Sequence, residues 1–137
     1  MRPRILVVDD EPDIVELVSF NLKAEGYEVI TADNGFKALD QARLLLPDLI
    51  VLDLMLPELD GLSVCEILHR VPATARIPVI MLTAWTSELS RLIGLDTGAE
   101  AYMTKPFSPR ELISRVNKTL QSHGTNLNGA KDSPENN

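Results

Sequence analysis

Five times along the chain, a short apolar run gives way to a longer stretch with helical periodicity. The runs occupy residues 4–9, 27–32, 48–53, 77–83 and 101–104. Most are apolar at consecutive positions, as in "ILVV" and "LIVL", rather than at every second one. Such strands need cover on both faces, and that is the habit of parallel sheets. The stretches between them carry stripes at helical spacing. Ile14, Leu17, Val18 and Leu22 form the first, with Pro12 in its opening turn and Gly26 past its end. Ala38, Leu39, Ala42, Leu45 and Leu46 form the second, stopped by Pro47. Val64, Cys65, Leu68 and Val71 form the third. Leu89, Leu92, Ile93 and Leu95 form the fourth, closed by Gly98. Leu112, Ile113, Val116 and Leu120 form the fifth, opened by Ser108 as N-cap, Pro109 and Glu111. Strand and helix in strict alternation predict a doubly wound α/β fold, with a five-stranded parallel sheet and five helices.

A chain of 137 residues suits one such unit, expected over residues 1–122. Residues 123–137, "HGTNLNGAKDSPENN", hold one Leu and no aromatic residue, and are expected to be a disordered polar tail or linker stump. The net charge of −7 disfavours binding to a phosphate backbone, so no nucleic acid is expected on this chain itself. The single Cys65 has no partner for an internal disulfide. No run approaches the length of a membrane span, and the expectation is a cytoplasmic protein with no membrane contact.

The first run ends on "DDE", Asp9 to Glu11, where adjacent carboxylates repel one another. Ligands of open parallel sheets bind outside the carboxyl ends of the strands. Asp9 and Asp10 end the first run, Asp53 the third and Thr83 the fourth, and Lys105 follows the fifth at once. A strand ending in Asp is ordinary, because Asp caps helices and starts turns. Four polar ends at one edge of one sheet are harder to assign to structure alone. If the first and third strands are neighbours, three carboxylates converge, and a hard divalent cation relieves their repulsion. Mg²⁺ prefers oxygen ligands and commonly sits between one or two carboxylates and a phosphate. Lys105 and Thr83 suit phosphoryl oxygens as charge and hydrogen-bond donor.

In this order and spacing, "VVDDEP", "DLIVLDLMLPELDG", "IPVIMLTA" and "YMTKPFSPREL" resemble the receiver domain of two-component response regulators. The resemblance runs from about Arg4 to Gln121 and implies the CheY-like strand order 2-1-3-4-5. It implies that Asp53 accepts a phosphoryl group from a sensor histidine kinase or a small phosphodonor. Asp10 and Asp53 would bind Mg²⁺ directly, with the Met55 backbone carbonyl, and Asp9 would act through water. Thr83 and Lys105 would grip the phosphoryl oxygens, with a cis Lys105–Pro106 peptide. Thr83 and Tyr102 would form a switch, the ring turning inward as the hydroxyl moves. Such a protein is no turnover enzyme; it catalyses only its own phosphorylation and dephosphorylation. "TKPFSPREL" looks closest to the OmpR/PhoB-type winged-helix subclass, whose output is transcription through an effector domain. That subclass implies a homodimer through helix 4, strand 5 and helix 5. Arg91 with Glu111, and Glu100 or Asp96 with Arg115, would supply its ion pairs. Ala101 stands where the subclass usually carries an acid, so one pair is expected to be missing.

Large apolar residues at Met55 and Trp85 are expected to flank the approach of water to a phosphorylated Asp53 and slow its hydrolysis. Trp85, the only tryptophan, is expected to report the site optically. His69, His123 and Cys65 are read as bystanders: two surface histidines, one in the tail, and a small core residue. Gly61 is read as turn chemistry and Phe107 as packing at the start of the last helix. Rival functions differ at specific positions. A haloacid-dehalogenase-type phosphatase needs a carboxylate where Met55 stands, and a flavodoxin-like carrier needs a phosphate loop in place of "DDEPD". A stand-alone receiver, acting as phosphorelay intermediate or docking module, is the remaining alternative.

Overall fold

The strand runs owe their continuous apolarity to two half-cores that share the same backbone. In the computed structural model, which describes residues 2–84 and 98–124, the order is β1 (Arg4–Val8), α1 (Pro12–Ala24), β2 (Glu28–Ala32), α2 (Gly35–Leu45), β3 (Leu49–Asp53), α3 (Gly61–Arg70), β4 (Val79–Ala84), β5 (Ala101–Lys105) and a C-terminal helix (Pro109–Ser122). The sheet order is β2-β1-β3-β4-β5, and every pairing is parallel. Side chains alternate across a strand. Leu6, Val8, Ile50, Leu52, Val79 and Met81 therefore pack on one face with Ala38, Ala42, Val64, Cys65 and Leu68 of α2 and α3. Ile5, Val7, Leu49, Val51, Ile80 and Leu82 pack on the other with Val18 and Leu22 of α1 and Leu112, Val116 and Leu120 of the C-terminal helix.

The helices begin where local chemistry satisfies their first N–H groups. Asn34 accepts from Lys37 N–H at 2.9 Å, Asp60 from Ser63 N–H at 2.9 Å and Ser108 from Glu111 N–H at 3.0 Å. α1 opens on Pro12 and ends before Gly26, whose φ of +94° suits the left-handed turn into β2. The predicted strand boundaries shift by one or two residues: β1 stops at Val8, β2 starts at Glu28, and β4 runs over Val79–Ala84. The stripes also need correction. Leu17, Leu45 and Leu46 lie largely outside the core. α2 ends at Leu45 and Leu46 takes a left-handed φ of +46°, so consecutive leucines fan around the axis rather than lining one face. The fourth stripe, Leu89 to Leu95, lies outside the described residues, and four helices are seen among those described. His123, read as tail, is the C-cap of the C-terminal helix, and its Nε2 lies 2.8 Å from Glu100 Oε1. His69 is half-buried rather than a surface residue. Its Nδ1 sits 2.8 Å from Cys65 O, and its ring packs on Gly98, where any Cβ would stand 3.0 Å from Nδ1. Phe107 packs against the α1-side core as expected. No described helix is long and apolar enough to cross a membrane.

Candidate metal centre

The parallel register carries the ends of β1, β3, β4 and β5 to one edge of the sheet. Val8 pairs with Leu52, so Asp9 and Asp53 occupy the next level on adjacent strands. Asp53 pairs with Leu82, which places Thr83 one level further along β4, and Thr83 and Ala84 pair with Thr104 and Lys105. Carboxylate oxygens of Asp9, Asp10 and Asp53 all lie within 4.8 Å of one another. Asp9 and Asp53 are buried, and Asp10 is exposed.

The two buried carboxylates are each held by a backbone N–H two residues further along. Asp9 Oδ1 accepts from Glu11 N–H at 2.9 Å, and Asp53 Oδ1 accepts from Met55 N–H at 3.1 Å. Both are tight turns that aim the second oxygen inward. Lys105 Nζ reaches into the cluster from the end of β5, 3.0 Å from Asp9 Oδ2 and 3.5 Å from Asp53 Oδ2. It lies closest to Glu11 Oε1, at 2.9 Å. The Lys105–Pro106 peptide is cis. The floor of the Asp53 loop is α3. Gly61 N–H donates to Leu54 O at 2.9 Å, and a Cβ on Gly61 would stand 2.3 Å from Asp53 O and 2.8 Å from Leu54 Cα. Gly61, read as turn chemistry, is a close-approach residue instead. Its bare Cα lets α3 press on the loop.

Burial pushes the Asp53 carboxyl up to about 6, and the charges of Asp9 and Asp10 add to this. The Met55 N–H and Lys105 pull it back only in part. Burial would lower the Lys105 ammonium, but its hydrogen bonds to Glu11 and Asp9 and the Asp53 charge outweigh it, and its pKa is raised. The cluster thus holds more negative charge than one lysine offsets.

That surplus supplies the test for a metal. Asp9 Oδ2 is buried, and the cation beside it is the Lys105 ammonium at 3.0 Å, which Glu11 and Asp53 share. Three hard oxygen donors in one small volume, served by one shared ammonium, fit Mg²⁺ better than a thiophilic metal.

Thr83 is buried, its hydroxyl donating to Ala84 O at 3.3 Å. Tyr102 is half-buried against the core on the α3 side. Met55 carries its side chain outward, 65% exposed. Of the expected dimer-face residues, Glu111 and Arg115 are exposed on the C-terminal helix, and Glu100 meets His123 of its own chain. Arg91 and Asp96 lie outside the described residues, as does Trp85. Cys65 is a buried thiol pushed up to about 11 by burial and by Glu66. The contact that sequence reasoning missed is Glu11 with Lys105. Its sequence signal is the third acid of "DDE".

Comparison with known proteins gives this arrangement a context. Residues 5–117 match the family described as the response regulator receiver domain. The chain is 51% identical over 121 residues to the alkaline phosphatase synthesis transcriptional regulatory protein PhoP of Bacillus subtilis, covering 88% of this chain and 50% of PhoP. It is 44% identical over 121 residues to the DNA-binding response regulator MtrA of Mycolicibacterium smegmatis, covering 88% and 52%. The chain spans about half the length of these curated relatives. Both are named as regulators, in keeping with the subclass that the last motif resembles. A CheY-like receiver domain protein from Methanospirillum hungatei superposes with a TM-score of 0.82 at 30% identity, covering 90% of this chain and 97% of that one.

Proposed function

The chain belongs to the response regulator receiver family, and from that premise we propose that it accepts a phosphoryl group on Asp53 from a sensor histidine kinase. The observation that carries the reading is the convergence of Asp9, Asp10 and Asp53 with Lys105 at one sheet edge. A lone pair of the Asp53 carboxylate attacks phosphorus, forming the O–P bond of an acyl phosphate. The bond from phosphorus to the donor breaks, and the donor nitrogen leaves with the electron pair and takes up a proton. With acetyl phosphate, the leaving group is acetate.

Asp10 and Asp53, with the Met55 carbonyl, would hold Mg²⁺, and Asp9 would support it through water. When bound, the ion neutralises carboxylate and phosphoryl charge together. Lys105 donates to a phosphoryl oxygen from the β5 end, and the Thr83 hydroxyl turns from Ala84 O to donate to another. Movement of Thr83 frees space toward β5, where Tyr102 follows, and the change is read out by the partner surface. Asp53 also governs return to the resting state by hydrolysis, so the chain turns over no substrate but itself.

For the output, we propose transcription control through a domain not contained in this chain, on the strength of the regulators named above. An accompanying homodimer would use β5 and the C-terminal helix, where Glu111 and Arg115 are exposed.

The test is incubation with Mg²⁺ and acetyl phosphate followed by intact-mass analysis. One phosphoryl adduct per chain, absent in Asp53→Asn and absent in EDTA, is expected. Repeated turnover of phosphate esters would instead indicate a phosphatase. No adduct with either acetyl phosphate or a phosphorylated kinase would leave the docking-module reading in its place.

A further inference from the structure

Lys105 lies within 3.5 Å of three carboxylates, and the closest is the one to which no role has been assigned. Glu11 Oε1 is 2.9 Å from Nζ, against 3.0 Å for Asp9 and 3.5 Å for Asp53. The three partners are not alike. The side chains of Asp9 and Asp53 are 0% and 5% exposed, whereas that of Glu11 is 60% exposed. Glu11 is also the N-cap residue of α1, yet its side chain makes no capping bond. Its backbone is pinned to Asp9 Oδ1, and its carboxylate extends across the mouth of the site to Lys105.

We propose that Glu11 is a positioning residue that holds Lys105 at the mouth of the site and competes with the phosphoryl group on Asp53 for it. This inference rests on the phosphoacceptor reading of Asp53. An ammonium has three N–H donors, and three carboxylates stand ready to take them. An acyl phosphate on Asp53 carries about two charges where the carboxylate carried one, and it presents three strong acceptor oxygens. Lys105 must then give up a partner. Releasing Asp9 would leave a buried carboxylate without its cation, at a large desolvation cost. Releasing Glu11 costs little, because its carboxylate is exposed and returns to water. Glu11 is therefore the exchangeable partner, and its grip is subtracted from the affinity of the site for a phosphoryl group. The same contact keeps the Lys105 ammonium from settling on Asp53 itself, where it would blunt the nucleophile.

Fluoroberyllate, a non-covalent mimic of the phosphoryl group, tests this by calorimetric titration at saturating Mg²⁺. Glu11→Gln is expected to bind it about two- to fivefold tighter than wild type, the range of a partly exposed ion pair. Glu11→Asp, which keeps the charge but shortens the reach, is expected to gain affinity as well. Asp13→Asn removes a negative charge from the first turn of the same helix without a described contact to Lys105, and is expected to leave affinity unchanged. Glu11→Gln binding no tighter than wild type would overturn the proposal. So would an equal gain in Asp13→Asn, which would reduce the effect to general charge. Either result leaves the phosphoacceptor reading standing, whereas a wild-type protein that binds no fluoroberyllate in Mg²⁺ removes both.

Discussion

Asp53→Asn should stabilise the metal-free protein, and by an amount that depends on pH. Asp53 is buried, and its carboxyl is raised from the ordinary 3.8 to about 6, mainly by burial and then by Asp9 and Asp10. At about 1.4 kcal/mol per pH unit of displacement, keeping it ionised in the folded state costs about 3 kcal/mol. The sign follows from proton binding. Between about 3.8 and about 6 the folded chain keeps a proton that the unfolded chain has released, so stability falls as pH rises through that window. Above it, the full cost is present; below it, none. Asparagine keeps the shape and an oxygen for the Met55 N–H, but not the charge. In EDTA at pH 7, urea unfolding followed by far-UV circular dichroism should place the variant about 2–3 kcal/mol above wild type. The gap should close as pH approaches 4. Mg²⁺ should raise wild type more than the variant, because it offsets the charge that asparagine lacks. A variant no more stable than wild type at pH 7, or a gap that does not change with pH, would refute this account of the cluster.

Three further outcomes are expected. Gly61→Ala drives a methyl group into Asp53 O and Leu54 Cα, neither of which is a flexible tip, and should cost about 2–4 kcal/mol in urea unfolding while lowering the rate of adduct formation. Cys65, buried and with its thiol raised to about 11, should react with a disulfide reagent at pH 8 only as fast as the protein opens, so added urea below the midpoint should accelerate labelling. Met55→Asn places a polar group on an exposed side chain beside Asp53 and should shorten the lifetime of the adduct several-fold, measured by loss of mass after removal of acetyl phosphate.

The parts of the fold legible in the sequence are those fixed by repetition along the chain. "ILVV" and "LIVL" announce strands covered on both sides, because each residue in them faces one half-core or the other. The meeting of Asp9, Asp10 and Asp53 was legible once β1 and β3 were taken as neighbours, because strand ends in a parallel sheet share an edge. Periodicity failed at Leu44 to Leu46, where three leucines in a row fit several faces; all three are exposed, and Leu46 turns left-handed as the helix ends. It said nothing of Glu11, whose bond to Lys105 spans 94 positions and depends on side-chain reach. The tight approach at Gly61 is hidden from local sequence for the same reason, since its collision partners lie on a different segment. Composition groups His123 with the polar tail, but the residue caps the C-terminal helix, one position beyond its last turn.

The alternation of neighbouring strand residues between the two faces has a consequence for how such a protein can change over generations. Ile5 and Val7 answer to one set of helices, Leu6 and Val8 to another, and the two sets meet no side chain in common along β1. Substitutions that reshape the surface made by α1 and the C-terminal helix can therefore accumulate without disturbing α2 and α3, and the reverse holds equally. A lineage can revise its partners one flank at a time. The acidic edge has no such freedom, because every strand that builds it is anchored in both flanks at once.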